Sequence, residues 1–345
     1  MKKITNPDIR NRAILPPKKM GSYIFDKLIF RAEIRTTVIR EKRIHEILKA
    51  KFISYDYHDL TPIKAIMSSF DTGKKFSSTD SKDTSPIEDF INNTNSLNKL
   101  ITEDYNPVLG TLLLLGYVSA SESYFRSLIR NLITIDPYIK NNVSDKKVSF
   151  AAAIHHSNEM LPEALLEDFS FASPFNIIET LVTMIGIKKI DFNDALRIRE
   201  EFKKVCELRH CCVHRFGKLG SKNAVQLGID DHKSHLERTI NLSIDDIYDI
   251  AEITSTFIKT FNNIIFKFIM DRIVTNKNGD AGGTPYYQEK ITWDYEKDKE
   301  RFNRYFRVFQ VNDDSTMPAH ICYEKLKEHH QKQVSNTQPK RKKRS

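Results

Sequence analysis

The amino-acid sequence predicts a mainly α-helical protein, built around a bundle of four or five helices. The chain has 345 residues, and its 11 glycines and 12 prolines are fewer than a sandwich of many short turns would contain. Apolar residues recur at helical spacing in several long segments. Residues that favour helix starts precede some of these segments. These observations together favour a packed helical domain.

The first strong helical pattern begins at about residue 105 and ends before Pro137. Its longest apolar run, Val108 to Val118, covers eleven residues, whereas a membrane span needs about twenty. We therefore expect no transmembrane helix and no membrane partner. The apolar positions compatible with one helix face are Val108, Leu112, Leu115, Val118, Phe125, Leu128, Leu132 and Ile135.

Three further helices are predicted from their start signals. The dipeptide Ser173–Pro174 suits the N-cap and the first helical position of one helix. Asp191 can cap the next helix, and Ser243 with Asp246 resembles a capping box that opens the last one. The pattern therefore places a helical domain over residues 99–272.

The regions on either side of this domain have weaker patterns. Residues 1–20 are predicted to be a basic flexible arm, and residues 21–98 a flanking region that ends in a polar linker. Residues 273–334 mix aromatic and charged residues, which favours a less regular and partly β flanking region. Residues 335–345 are predicted to be a basic disordered tail.

The net charge of +9 is concentrated at the two ends of the chain. Residues 1–20 and residues 340–344 each carry a net charge of +5, which leaves the rest of the chain close to neutral. A basic groove is therefore not predicted. The basic ends can attract nucleic acid without sequence preference, and the C-terminal one also resembles a nuclear-targeting signal.

The cysteines indicate a reducing compartment. Three of the four, Cys206, Cys211 and Cys212, fall on one predicted helix, where disulfide geometry is poor. The basic N-terminal residues are followed by no apolar stretch of the kind that a signal peptide needs. We therefore expect free thiols and a cytoplasmic location.

The most specific chemistry in the chain lies in the hexapeptide from Arg209 to His214, at the end of a predicted helix and before Gly217. A histidine can transfer a proton near neutral pH, and an arginine can hold a phosphate through its planar fork of donors. Together, an arginine and a histidine suffice for RNA cleavage without a metal. On a helical wheel, Arg209 falls inside the apolar stripe, where a charge is costly unless it is paired or used.

His214 lies about 140° around an ideal helix from Arg209. The two side chains can meet one phosphate only if the helix ends near Val213, or if two chains contribute. An upstream pair, Glu122 and Arg126, lies four residues apart on an earlier helix. These two residues form either an ordinary surface ion pair or part of the same pocket, orienting the first pair.

This constellation resembles the HEPN superfamily, the higher eukaryote and prokaryote nucleotide-binding domain. Its ribonuclease members carry an arginine, a polar residue, three further residues and a histidine, which Arg209, His210 and His214 match. A glutamate followed four residues later by a basic residue is another family feature, matched by Glu122 and Arg126. The resemblance covers about residues 100–272, and the flanking regions have no recognised counterpart.

The resemblance implies a metal-independent endoribonuclease in an all-α bundle, with no cofactor. His214 would act as general base on a ribose 2′-hydroxyl or as acid on the leaving oxygen. Arg209 would stabilise the phosphoryl charge and His210 would orient both, while Glu122 and Arg126 would support them. RNA, a homodimer with composite sites, and an antitoxin or trigger protein are the implied partners. A role in bacterial antiviral defence or as a toxin follows from the class.

The sequence leaves three other interpretations open. A structural zinc site is the first alternative, because several thiols and imidazoles are close in sequence: Cys206, Cys211, Cys212, His214, His232 and His235. However, two adjacent cysteines on a helix are poorly placed to bind one zinc ion. A metal-dependent nuclease is the second alternative, but the carboxylates and the lysine at Asp294, Glu296 and Lys299 have a spacing that fits no defined metal site. A non-catalytic helical module that binds nucleic acid or protein is the alternative, and the basic ends favour it.

Overall fold

The computed structural model describes residues 70–76, 84–157, 160–275, 287, 290–312 and 316–337. The chain divides into two units, residues 1–81 and 82–345. In the first unit, the described residues form a short 3₁₀ turn, Gly73–Lys75. The basic arm predicted for residues 1–20 and the flanking residues up to 69 lie outside the described residues.

The second unit is mainly α-helical, which confirms the predicted class. Its described residues contain no β-strand, and one isolated bridge pairs Lys218 with Thr239. The 3₁₀ segments are Lys189–Ala195 and Lys233–His235. Twelve α-helices account for most of the described part: α1 Pro86–Asn98, α2 Pro107–Ile135, α3 Pro137–Asn142, α4 Phe150–His155, α5 Leu161–Ala164, α6 Pro174–Ile185, α7 Leu196–Arg215, α8 Ser221–Leu227, α9 Ile229–His232, α10 Ile244–Thr275, α11 Tyr295–Phe309 and α12 Ala319–Thr337.

Most of the predicted helix starts are confirmed. The Ser173 hydroxyl accepts a hydrogen bond from the Asn176 N–H at 3.2 Å at the start of α6. Ser243 and Asp246 form the reciprocal hydrogen bonds of a capping box before α10. The prediction for Asp191 was wrong, because this residue caps the 3₁₀ segment through the Lys188 N–H and α7 begins only after it.

The core is organised around α2, which packs against α1, α7 and α10. Aromatic rings join three of these helices: Phe202 of α7 stacks on Phe257 of α10 with ring centroids 4.1 Å apart. Phe125 of α2 lies 6.0 Å from Phe257 and 5.8 Å from Phe261. Burial of such large apolar rings is the main stabilising contribution to the bundle.

The eleven-residue apolar run predicted no transmembrane helix, but α2 as a whole is long and apolar enough to cross a membrane. Half of its most apolar window is buried inside the structure. Leu114, Phe125 and Leu128 have no solvent-accessible surface. A helix at the centre of a core needs apolar residues on most of its sides, so burial within the protein accounts for this composition.

The helical body extends beyond both predicted boundaries. Residues 86–98, interpreted from the sequence as part of a polar linker, form α1, whose Ile87 and Phe90 are buried. The C-terminal flanking region was expected to be partly β, but its described residues form α11 and α12. Helix α12 continues to Thr337, so the first residues of the predicted disordered tail are helical, and residues 338–345 lie outside the described residues.

A buried polar cluster joins the ends of four segments. The Asp136 carboxylate, which is fully buried, accepts hydrogen bonds from Arg272 at 2.9 Å, from the Tyr287 hydroxyl at 3.0 Å and from the Ile139 N–H at 2.9 Å. Arg272 also donates to the Ile185 carbonyl at 3.1 Å. Asp136 therefore neutralises a buried guanidinium and caps α3 at the same time.

Candidate functional site

The whole Arg–His motif, residues 209–214, lies in the last two turns of helix α7. The helix ends at Arg215, and the N–H of Gly217 closes the last turn on the Cys211 carbonyl at 3.0 Å. Gly217 has φ +87°, a left-handed conformation that favours glycine after a helix. Because the helix continues past Val213, Arg209 and His214 stay about 140° apart around it. Within one chain, an early helix end therefore does not bring the two side chains to one phosphate.

Arg209 is paired, as its position in the apolar stripe requires. One of its terminal nitrogens lies 3.3 Å from a carboxylate oxygen of Glu122 on α2. The two side chains are 24% and 25% exposed, so the pair borders solvent at the seam between α7 and α2. A half-buried guanidinium with an oriented plane can still present donors to an external phosphate.

Arg126 has different partners from those expected. Its terminal nitrogens donate to the carbonyls of Leu166 at 2.7 Å and Phe169 at 2.9 Å, and one lies 3.8 Å from Glu163. Within the described residues, the expected ion pair between Arg126 and Glu122 is not formed. The structure therefore brings Glu122 to Arg209 and uses Arg126 to hold the segment that follows α5.

The two histidines of the motif are neighbours on α7. The ring centroids of His210 and His214 lie 6.3 Å apart, and His214 is exposed. Nδ1 of His210 is 3.8 Å from a carboxylate oxygen of Glu207, which is 13% exposed and accepts a hydrogen bond from Asn223 of α8 at 2.8 Å. Sequence reasoning missed Glu207, although its spacing of three residues from His210 on one helix could have indicated the contact.

The segment after α7 folds back on the helix end. Residues 217–219 exchange backbone hydrogen bonds with residues 237–240, next to the Lys218 bridge. Arg215 donates to both carboxylate oxygens of Glu237, at 2.8 and 2.6 Å, and this hydrogen bond lowers the pKa of Glu237. These contacts hold the end of the helix that carries His214.

Exposed apolar side chains flank the motif. Thr111 of α2 lies close enough to the Cys212 thiol of α7 to affect its pKa, and Leu112 and Val213 are the next residues along these two helices. Leu112 is 57% exposed, Val213 is 48% exposed, and Phe216 just beyond α7 is 81% exposed. Large exposed apolar side chains of this kind are candidates for a surface that another molecule covers.

The three thiols of α7 lie in the protein interior. Cys206, Cys211 and Cys212 are buried, and burial raises the pKa of all three, that of Cys212 to about 11. In the free protein they are therefore protonated at neutral pH. Among the described residues, no group of three or more histidine, cysteine or acidic side chains is placed to hold a metal ion.

The acidic segment near residue 294 has a simple structural role. Asp294 accepts a hydrogen bond from the Glu296 N–H at 3.2 Å and so caps the start of α11. Lys297 lies 3.3 Å from Asp294, and Lys299 lies 3.7 Å from Glu296. The carboxylates that sequence spacing could not assign to a metal therefore pair with lysines one helical turn away.

The arrangement at α7 combines two chemical abilities near one solvent-facing seam. The guanidinium of Arg209, oriented by Glu122, can bind a phosphate, and the imidazoles of His210 and His214 can accept or donate protons. The chain was compared with protein-family models, with curated proteins and with solved structures, and none of the three comparisons found a match.

Proposed function

We propose that this protein is a metal-independent endoribonuclease of the HEPN type. The observation that carries the proposal is the guanidinium of Arg209, half-buried and held by Glu122 of the neighbouring helix, on the same helix as two adjacent histidines. An unpaired arginine at this position would be costly, and a flexible surface arginine would bind phosphate without defined orientation. The helical architecture is compatible with this class.

Each residue of the motif has a proposed role in the reaction. His214 removes the proton from the ribose 2′-hydroxyl, or donates one to the 5′-oxygen that leaves. The 2′-oxygen attacks the adjacent phosphorus, and Arg209 stabilises the negative charge that develops on the phosphoryl oxygens. His210, itself beside the Glu207 carboxylate, orients His214. The products are a 2′,3′-cyclic phosphate and a free 5′-hydroxyl.

The active unit in this proposal is a homodimer. Because α7 is helical through Arg215, one chain directs Arg209 and His214 about 140° apart. A two-fold axis beside the seam lets Arg209 of one chain and His214 of its partner meet one phosphate. The exposed side chains of Leu112, Val213 and Phe216 supply the apolar surface that such an interface buries.

The proposed biological role follows from the proposed class. An RNA-cleaving protein of this type acts in the cytoplasm, in bacterial antiviral defence or as a toxin. Its activity needs control by an antitoxin or a trigger protein. The basic segments at residues 1–20 and 340–344 add electrostatic attraction to RNA that falls steeply with salt concentration.

The direct test is cleavage of a single-stranded RNA and of the DNA with the same sequence, both in excess EDTA. We expect cleavage of the RNA alone, with a 2′,3′-cyclic phosphate on the new end, because the DNA lacks the attacking hydroxyl. The Arg209→Ala/His214→Ala double variant, purified in the same way, controls for contaminating ribonucleases. Cleavage of the DNA, or equal cleavage by the double variant, would contradict the proposal. Binding of RNA without cleavage would favour the non-catalytic alternative.

The proposed dimer gives a second prediction. Leu112→Glu places a charge in the apolar surface beside the motif, so we expect a monomer and loss of RNA cleavage with the helical content unchanged. Molecular mass from light scattering, circular dichroism and the cleavage assay measure the three properties. Phe175→Glu is the matched control, since Phe175 is 67% exposed on α6, and it is expected to leave all three unchanged. A Leu112→Glu dimer that still cleaves RNA would rule out this interface.

A further inference from the structure

A cavity of about 390 Å³ lies on a part of the molecule that shares no residue with the Arg–His motif. Residues of α1, α10, α11 and the first turn of α12 form its walls, together with Gln310, Val311, Thr316 and Met317. Its volume falls within the range of about 300–1,000 Å³ that small-molecule sites in proteins occupy. The cavity is open to solvent on one side.

The walls of this cavity are mainly apolar. Ile87 and Ile91 of α1 face Phe266 of α10 and Phe306 and Phe309 of α11 across the space. The ring of Phe266 packs against those of Phe306 and Phe309, with centroids 6.2 and 5.3 Å apart. These rings are fixed by one another, so the apolar wall is preformed and does not depend on a ligand to order it.

One polar side chain in the wall is already committed to the fold. The Asn262 carbonyl oxygen accepts a hydrogen bond from the Tyr124 hydroxyl at 3.0 Å. Its amide nitrogen donates to the Phe309 carbonyl at 3.0 Å. Asn262 therefore holds α2, α10 and α11 in place around the cavity and has little capacity left for a ligand.

The remaining polar groups define what the cavity can recognise. Lys259 is the charged residue among the lining side chains, and it is exposed. Within the described residues it has no carboxylate within ion-pair distance, and the amide side chains of Asn263 and Gln310 complete the polar rim. An unneutralised ammonium beside apolar walls complements a molecule with one negative charge and an apolar body.

We propose that this cavity binds a small carboxylate with an apolar body, such as a medium-chain fatty acid. The apolar part lies against Phe266, Phe306 and Phe309, and the carboxylate meets the Lys259 ammonium. The proposal does not depend on ribonuclease activity, because the cavity lies apart from α7 and its test measures binding alone.

Cys322 provides a site-specific readout of this binding. It lies in the cavity wall and is partly exposed, whereas Cys206, Cys211 and Cys212 are buried. Partial burial of the Cys322 thiol raises its pKa. Its reaction with N-ethylmaleimide is therefore followed in mildly alkaline buffer, by peptide mass spectrometry. We expect decanoate at ten times its dissociation constant to slow labelling of Cys322 about tenfold, since about nine tenths of the sites are then filled.

The role of the charge is tested with Lys259→Met, which keeps the apolar stem. We expect this variant to need about tenfold more decanoate for the same protection, the effect of losing one charge-assisted contact. Lys267→Met is the matched control, because Lys267 lies on the same helix, is exposed and does not line the cavity. It should behave like wild type. Decanol, which lacks the charge, should protect wild type about tenfold less well than decanoate.

Two results would overturn the proposal. One is that decanoate leaves the labelling rate of Cys322 unchanged at every concentration below the onset of micelles. The other is that the cavity does not select an anion, seen either as equal protection of wild type by decanoate and decanol or as equal protection of Lys259→Met and wild type by decanoate. Circular dichroism of both variants checks that the helical content is retained, as substitution of exposed lysines leads us to expect.

Discussion

Chains with Arg209→Ala and chains with His214→Ala are each expected to be inactive alone and to recover about a quarter of wild-type RNA cleavage when mixed. Each substitution alone removes a group used in the transition state and should lower the rate at least about a hundredfold. In a mixed dimer with composite sites, one site carries both lesions and the other carries none. Random pairing gives mixed dimers in about half of the population, each with one intact site.

Subunit exchange has to occur for this result, so the two chains are also co-expressed with different affinity tags. The mixed dimer purified through both tags should have about half of the wild-type activity, since one of its two sites is intact. The Arg209→Ala chain combined with the double variant is the control, because none of its sites is intact. Inactive mixed dimers of the two single variants would show that Arg209 and His214 act from the same chain, against the 140° argument. Activity of either single variant alone would exclude that residue from the reaction.

Replacement of Asp136 by alanine is expected to lower the free energy of unfolding by about 3–5 kcal/mol. The substitution removes the carboxylate that neutralises Arg272, whose side chain is 7% exposed, and leaves the guanidinium buried without a counter-charge. The Tyr287 hydroxyl and the N–H of Ile139 lose their acceptor as well. Urea unfolding, followed by circular dichroism, measures the change. A loss of this size is a large share of the stability of a typical domain.

Asp145→Ala is the matched control for this prediction. Asp145 is 78% exposed and lies 3.5 Å from Lys146, so its loss should change the free energy of unfolding by less than about 1 kcal/mol. The Asp136→Leu/Arg272→Met double variant, which removes both buried charges, should recover part of the stability lost in Asp136→Ala. An Asp136→Ala protein with the unfolding midpoint of wild type would show that the cluster contributes little.

Several helices were predictable from local patterns. Ser173 and the Ser243–Asp246 pair marked two helix starts correctly, because a side chain that caps a helix contacts backbone groups only two or three residues away. Pro137 likewise marked the end of α2. The start of α1 carries the same kind of local signal, because the Ser85 hydroxyl accepts a hydrogen bond from the Glu88 N–H and Pro86 occupies the first helical position. The interpretation of this segment as a linker, based on its many polar residues, overlooked that signal.

At the candidate site, too, some features follow from the local sequence and others depend on the tertiary structure. The sequence by itself determined that Arg209 lies in an apolar stripe and therefore needs a partner, because helical geometry follows from spacing alone. Only the tertiary structure decided that the partner is Glu122, 87 positions away along the chain, while Arg126 binds the segment after α5. The hydrogen bond from Asn223 to Glu207 also depends on how α8 folds back on α7. Contacts within one helix follow from residue spacing, whereas contacts between helices depend on which faces pack, and the packing of the whole core sets that choice.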